Sequence, residues 1–310
     1  MDSNILMESG TNELEILEFM IDDHCYGINV AKIKEIITFQ EVTPVPNAHP
    51  SIEGIFMPRD TMITAIDLRN CLQRGASEPH GLFIITNFNK LDIAFHVDSV
   101  TGIHRFSWAD IIKPDATMST VEKSVTTGII KYDERLIIIL DFEKIVSDIN
   151  PSTGLNMDQL KMFKARPRNE IPIVLAEDSQ LLNKLIVDSL HKSGYNNVRN
   201  FENGKLAYDY IKAAMDADVL DEKVRCIITD IEMPIMDGHR LTKLIKNDDK
   251  TRHIPVVIFS SLVNEEMRRK GEQLGADRQL SKPEIGHLVA TIDELVNGLA
   301  PEGIEDKSGE

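Results

Sequence analysis

The sequence carries little that would place it outside the cell or in a membrane. Its 310 residues include three cysteines, Cys25, Cys71 and Cys226, far apart and in or beside apolar runs. That spacing suits buried, reduced thiols better than a disulfide framework or a zinc site. The opening stretch "MDSNILMESGTNELE" has no basic region followed by an apolar core, so no secretory signal is visible. No apolar run approaches the roughly 20 residues that span a bilayer. Together these absences predict a cytoplasmic protein with no direct membrane insertion. A basic excess is missing too, since the net charge is -16. Residues 1–160 hold 12 basic and 24 acidic side chains, or -12, and residues 161–310 hold 22 and 26, or -4. An acidic surface repels phosphate backbones, which argues against nucleic acid as a partner. The nine histidines show no ligand spacing such as HExxH, and none is assigned chemistry.

What is present divides into two textures. At 42% apolar residues the chain has enough to bury two cores. From Leu14 to about Ile149, short apolar runs alternate with turn signals, among them "EILEFMI", "CYGINV", "TMITAIDL", "GLFIITNF", "LDIAFHV" and "RLIIIL". Hairpins are predicted at Asn89-Lys90 and Asp133-Glu134, and short helices at "VAKIKEII" and "DFEKIVSDI". Many short strands point to a barrel or sandwich, an all-β domain over 13–149. The segment 150–170 mixes Pro, Gly and charge without a strand pattern and reads as a linker, with a helical turn or two in its middle.

Over 171–300 the period changes. "IPIVLAED" is a continuous apolar run ending in acids, and "SQLLNKLIVDSLHKSG" after it sets Leu181, Leu182, Leu185, Ile186 and Leu190 on one helical face, with Ser179 at the N-cap and Gly194 as the stop. The unit recurs as "NNVRNF", "RCIITD", "IPVVIFS" and "DRQLS", each followed by a helical pattern. Five strands alternating with helices, the central ones apolar throughout, predict a doubly wound α/β domain with a parallel sheet, its site beyond the carboxyl ends of the strands.

That topology gives meaning to the acids. Glu177 and Asp178 follow the first strand and Asp230 follows the third, so three carboxylates meet at one sheet edge. Their repulsion is best relieved by a hard divalent cation with oxygen ligands, and magnesium fits. Ser260 ends the fourth strand and Lys282 follows the fifth. A strand-end serine is by default a helix cap, and a lone loop lysine is by default solvated. Taken jointly with the acids, a hydroxyl and an ammonium can hold the oxygens of a phosphoryl group on a carboxylate.

On "AED", "TDIEMPIMDG", "FSS" and "SKP", residues 171–300 resemble the receiver domain of response regulators, a flavodoxin-like (βα)5 fold. The resemblance implies that Asp230 accepts a phosphoryl group from a histidine kinase. It also implies Mg²⁺ held by Glu177, Asp178, Asp230 and the backbone carbonyl of Glu232, with Lys282 and Ser260 toward the phosphoryl oxygens, and a cis Lys282-Pro283 bond. The domain would catalyse only its own phosphoryl acceptance and slow autodephosphorylation. Gln279 stands where receivers usually carry an aromatic switch residue.

Residues 14–146 resemble the CheW scaffold of bacterial chemotaxis on "ILEFMIDDHCYGINVAKIKEI", "IEGIFMPRDTMITAIDLR" and "ATMSTVEKSVTTGIIKYDERLIIILDFEKIV". This implies two linked SH3-like barrels, with Ile33, Glu35 and Arg59 on the partner-facing surface. By default Ile33 would be core, Glu35 a solvated residue, and Arg59 a cap for local carbonyls or a partner of Asp60. Scaffold followed by receiver resembles a CheV-type chemotaxis coupling protein. Such an adaptor couples cytoplasmic tips of chemoreceptors to the chemotaxis histidine kinase at membrane receptor arrays, and is tuned by phosphorylation or acts as a phosphate sink. An alternative is a phosphatase of the haloacid dehalogenase type, which also uses an aspartate nucleophile but wants Asp-x-Asp after its first strand.

Overall fold

Residues 11–88, 91–114, 125–150, 166–261, 265–282 and 284–297 are described in the computed structural model of the chain. They fall into two compact units, one of residues 13–150, the other joining residues 11–12 to the residues from 166 onward.

The first unit holds two five-stranded sheets. One orders β8 (Ser99–Ser107), β1 (Glu13–Ile21), β2 (His24–Asn29), β10 (Arg135–Leu140) and β9 (Thr126–Tyr132). The other orders β3 (Ile33–Thr38), β6 (Leu82–Phe88), β7 (Leu91–Val97), β5 (Ile63–Asp67) and β4 (Ile52–Phe56). Alternation along β1 sends Leu14 and Ile16 to one face and Leu17, Phe19 and Ile21 to the other. The first pair joins Trp108, Ile130 and Ile137 in a cluster belonging to the first sheet. Phe56, Ile63, Phe83 and Ile85 make the equivalent cluster of the second. Leu17, Phe19 and Ile21 meet Ile66, Ile84 and Phe95 in a third cluster that the two sheets share. Two short helices, α1 (Leu68–Cys71) and α2 (Phe142–Ile149), add Leu68 and Phe142 to it, the Phe142 ring set edge-on to Phe95 at 4.7 Å.

The helix predicted at "DFEKIVSDI" is present as α2, capped by Asp141 accepting from Lys144 N. The one predicted at "VAKIKEII" is not. Val30–Lys32 makes a single 3-10 turn, and Ile33–Thr38 is strand β3, paired with β6 and alternately exposed. Its β-branched isoleucines fit the pleat, and the ladder with β6 overrides a local pattern that suits either period. Asp133, at φ 52, turns the chain between β9 and β10 as expected. The Asn89-Lys90 hairpin turn, the helical turn within the linker and the Lys282-Pro283 bond lie outside the described residues.

The second unit is a five-stranded parallel sheet in the order β12 (Val198–Phe201), β11 (Ile173–Ala176), β13 (Cys226–Thr229), β14 (Val256–Ser260), β15 (Arg278–Ser281). Helices α3 (Gln180–Lys192), α4 (Gly204–Asp216), α5 (Leu220–Lys223), α6 (Gly238–Asn247), α7 (Glu265–Gln273) and α8 (Ile285–Asn297) connect and cover it. Period-2 alternation builds two cores. Ile173, Leu175, Ile228, Val257 and Phe259 face one side, and Val174, Ala176, Ile227 and Val256 the other. Ser179 caps α3 through Leu182 N, and Gly194 stands just past its end at φ 95. The chain leaves β11 toward β12 and crosses back to β13, so strand order reverses beside β11, and a crevice opens at the carboxyl ends of β11 and β13. Among the described residues no helix is long and apolar enough to cross a membrane.

Candidate functional site

The crevice receives one chemical group from the end of almost every strand around it. β11 ends at Ala176, so Glu177 and Asp178 follow it; β13 ends at Thr229, so Asp230 follows it. The three carboxylates present oxygens within 4.8 Å of one another. Asp230 is 4% exposed and Glu177 1%. Lys282, after β15, reaches in with Nζ 2.8 Å from Asp230 Oδ2 and 3.3 Å from Glu177 Oε1. Its own backbone N–H donates to Ser260 O at 3.2 Å, which ties the lysine to the end of β14. The structure therefore brings together Glu177, Asp178, Asp230 and Lys282, with Ser260 buried at the neighbouring strand end. Glu232 sits half-buried two residues past Asp230.

Backbone geometry fixes Asp230. Its N–H donates to Ala176 O at 2.9 Å, continuing the β11–β13 pairing by one residue. Oδ1 accepts from Ile231 N at 2.7 Å, which leaves Oδ2 to Lys282. Gly238, the first residue of α6, packs so tightly that an added Cβ would fall 1.8 Å from Asp230 O. Only glycine permits that approach.

The electrostatics show which kind of group the site suits. Burial pushes the Glu177 carboxyl up to about 8; Lys282 opposes the rise, and the charges on Asp230 and Asp178 add to it. Glu177 Oε2, 3.2 Å from Lys282 Nζ, is buried and accepts no hydrogen bond among the described residues. Lys282 faces two carboxylates, Glu177 and Asp230, with Asp178 beside them, and one buried oxygen of Glu177 is left as a donor. Both features fit a small, hard divalent cation, and Mg²⁺ matches the all-oxygen donor set.

The partner-facing residues predicted in the first unit are placed differently from one another. Ile33 is half-buried against the cluster shared by the two sheets. Glu35, on β3, and Arg59, in a turn before β5, form an ion pair at 2.9 Å, with the arginine side chain 80% exposed. Arg59 and the adjacent Asp60 both take left-handed backbone, at φ 52 and 65. Arg59 thus pairs with Glu35, to which no local sequence pattern joins it. Sequence reasoning also missed Gly238 and Asn12, whose side chain bonds to the loop after Asp230. Asn12 carries no local signal, because its contacts are distant in sequence, and Gly238 ends the "TDIEMPIMDG" stretch without anything local to show how closely it meets Asp230.

Comparison with known proteins bears on both units. Residues 15–150 match the CheW-like domain family, and residues 173–293 match the response regulator receiver domain family. Chemotaxis protein CheV2 of Helicobacter pylori is 30% identical over 294 residues, covering 88% of this chain and 92% of that protein. Chemotaxis protein CheV3 of the same organism is 27% identical over 302 residues, covering 92% and 96%. Chemotaxis protein CheW of Thermotoga maritima is 31% identical over 144 residues, which is 46% of this chain and 94% of that protein. With both units matched in this order, and relatives aligned along nearly their whole length, the chain belongs to the CheV family of chemotaxis proteins.

Proposed function

We propose that the chain is a chemotaxis adaptor that couples chemoreceptor tips to the chemotaxis histidine kinase at receptor arrays, and that phosphorylation of Asp230 regulates it. The observation that carries this reading is the pairing of Asp230 Oδ2 with Lys282 Nζ at 2.8 Å beside Glu177 and Asp178, in a chain whose other unit is CheW-like.

In this reading Asp230 is the nucleophile. An Asp230 carboxylate oxygen attacks the phosphorus of a phosphohistidine on the kinase; the P–O bond forms as the P–N bond breaks, and the imidazole leaves with the electron pair and takes a proton from solvent. Lys282 moves from the carboxylate to the phosphoryl oxygens, and the Ser260 hydroxyl adds a donor to them. Glu177, Asp178, Asp230 and the Glu232 carbonyl would hold Mg²⁺. When bound, that ion neutralises charge on the carboxylates and the phosphoryl oxygens. The rigidity of β13, buried on both faces, keeps the attacking oxygen in place. On the first unit, Ile33, Glu35 and Arg59 form the partner surface. The comparisons lend no support to a phosphatase of the haloacid dehalogenase type.

A second reading, a passive phosphate sink, is favoured by one contact. Gln279, at the usual aromatic position, donates from Nε2 to Arg268 O at 2.6 Å, across Gly271. This is a fixed polar tie from β15 to α7 in place of a ring free to swing. Co-sedimentation of kinase with receptor-bearing membranes, with and without beryllofluoride on the full chain, separates the two. Regulation predicts a change in kinase recovered or in its activity; a sink predicts none. Failure of the full chain to co-sediment at all would refute the adaptor role.

A further inference from the structure

The loop between Asp230 and α6 contains a backbone conformation that its residue disfavours. Ile235 takes φ 70, although a β-branched side chain crowds the carbonyl in left-handed backbone. Met236 N donates to Pro234 O at 2.8 Å, so Ile235 sits at the centre of a three-residue turn of the rare, strained hand. Such a conformation persists only where its surroundings over-determine it. Two backbone bonds contribute, Gly238 N to Ile231 O at 3.0 Å and Gly204 N to Met236 O at 3.1 Å.

The remaining bonds come from far away in the sequence. Asn12 belongs to the same compact unit as this loop. Its Nδ2 donates to Ile235 O at 2.9 Å, and its Oδ1 accepts from Asp237 N at 3.0 Å. One carboxamide thus spans the strained turn as a peptide group of a neighbouring strand would, satisfying the carbonyl on one side and the N–H on the other. Asp237 is in turn the cap of α6, accepting from Arg240 N at 2.6 Å, and its successor Gly238 lies against the Asp230 backbone. We propose that Asn12 is a positioning residue for the acceptor: its carboxamide clamps the strained Ile235 turn and so fixes the loop from Ile231 to Gly238 around Asp230.

The proposal rests on the reading of Asp230 as phosphoacceptor, and its test separates the two. The full chain is treated with phosphoramidate and Mg²⁺, and the rate of acyl phosphate formation is followed by intact mass. Loss of two neutral hydrogen bonds is expected to slow Asn12→Ala by about three- to tenfold at saturating Mg²⁺. Adding Ile235→Gly to that variant is expected to restore the rate to within about twofold, because glycine takes this φ without strain and needs no clamp. A merely structural role for Asn12 predicts no such rescue. In parallel, amide exchange at Met236 and Gly238, whose acceptors remain, is expected to quicken in Asn12→Ala and to slow again in the double variant, while Asp237, which loses its acceptor in both, stays quick. Wild-type rates in Asn12→Ala, or a double variant no better than the single one, would overturn the clamp. If the wild-type chain takes no phosphate, the functional reading fails and the exchange comparison alone decides the clamp.

Discussion

Arg59 Nη2 lies 2.9 Å from Glu35 Oε2, joining the turn before β5 to strand β3. The arginine is held from an exposed, left-handed turn, so the pair presents a charged ridge more than it secures the fold. Exposed pairs contribute about 0–1 kcal/mol. Arg59→Ala is therefore expected to leave the urea midpoint almost unchanged, while lowering affinity for the kinase regulatory domain by about tenfold, as a central arginine anchor would. Denaturation and pull-down of the same variant check the two halves. A strongly destabilised variant would assign the pair to folding.

His96 is buried, and each ring nitrogen faces an acceptor: Nδ1 is 3.0 Å from Glu53 Oε2 and Nε2 is 2.6 Å from His80 O. Burial alone lowers its pKa, but the bonds to Glu53 and the His80 carbonyl, with the charges on Glu53 and Asp67, raise it overall. A raised folded pKa means stabilisation that is complete below the unfolded value of about 6.5 and is lost as pH climbs through the folded one. Denaturation followed from pH 6 to 9 is expected to show the CheW-like unit weakening with rising pH, and His96→Gln is expected to flatten that slope. An unchanged slope in the variant would refute it.

Gly238→Ala sets a methyl group against Asp230 O, where only about half the needed separation exists. The backbone must shift, at a cost of about 1–3 kcal/mol or more. The receiver unit should lose that stability, read by urea denaturation of the full chain, together with its phosphorylation. Gly286→Ala, where nothing lies within 4 Å of the added methyl, is the matched control and should be neutral or mildly stabilising.

The three thiols are expected to be unreactive in the folded chain. Burial pushes Cys226 up to about 12 and Cys71 up to about 11, and raises Cys25 with help from Glu18. Iodoacetamide at pH 8 should label them only on unfolding, because the thiolate is the nucleophile. Rapid native labelling of Cys71 or Cys226 would contradict this.

The receiver site was largely legible in the sequence because a parallel strand buried on both faces announces itself as an uninterrupted apolar run, and the residue ending the run is the one at the sheet edge. Glu177, Asp178, Asp230 and Ser260 could be read that way, whereas Lys282 follows the polar edge strand β15 and gained meaning only jointly with them. Strand β3 could not, since "VAKIKEII" satisfies both helical and strand periods and only its ladder with β6 decides. The Arg59–Glu35 pair, the His96–Glu53 pair and the Asn12 clamp were invisible for a common reason. Each depends on side chains that topology, not local pattern, brings together.

Phosphotransfer itself tests the central claim. The full chain and its Asp230→Asn variant are each incubated with the radiolabelled, phosphorylated chemotaxis kinase and Mg²⁺. Label is expected to move to the wild-type chain and not to Asp230→Asn, while both still bind the kinase. Label on the variant, or none on the wild-type chain while the same kinase discharges to another receiver, would contradict the account.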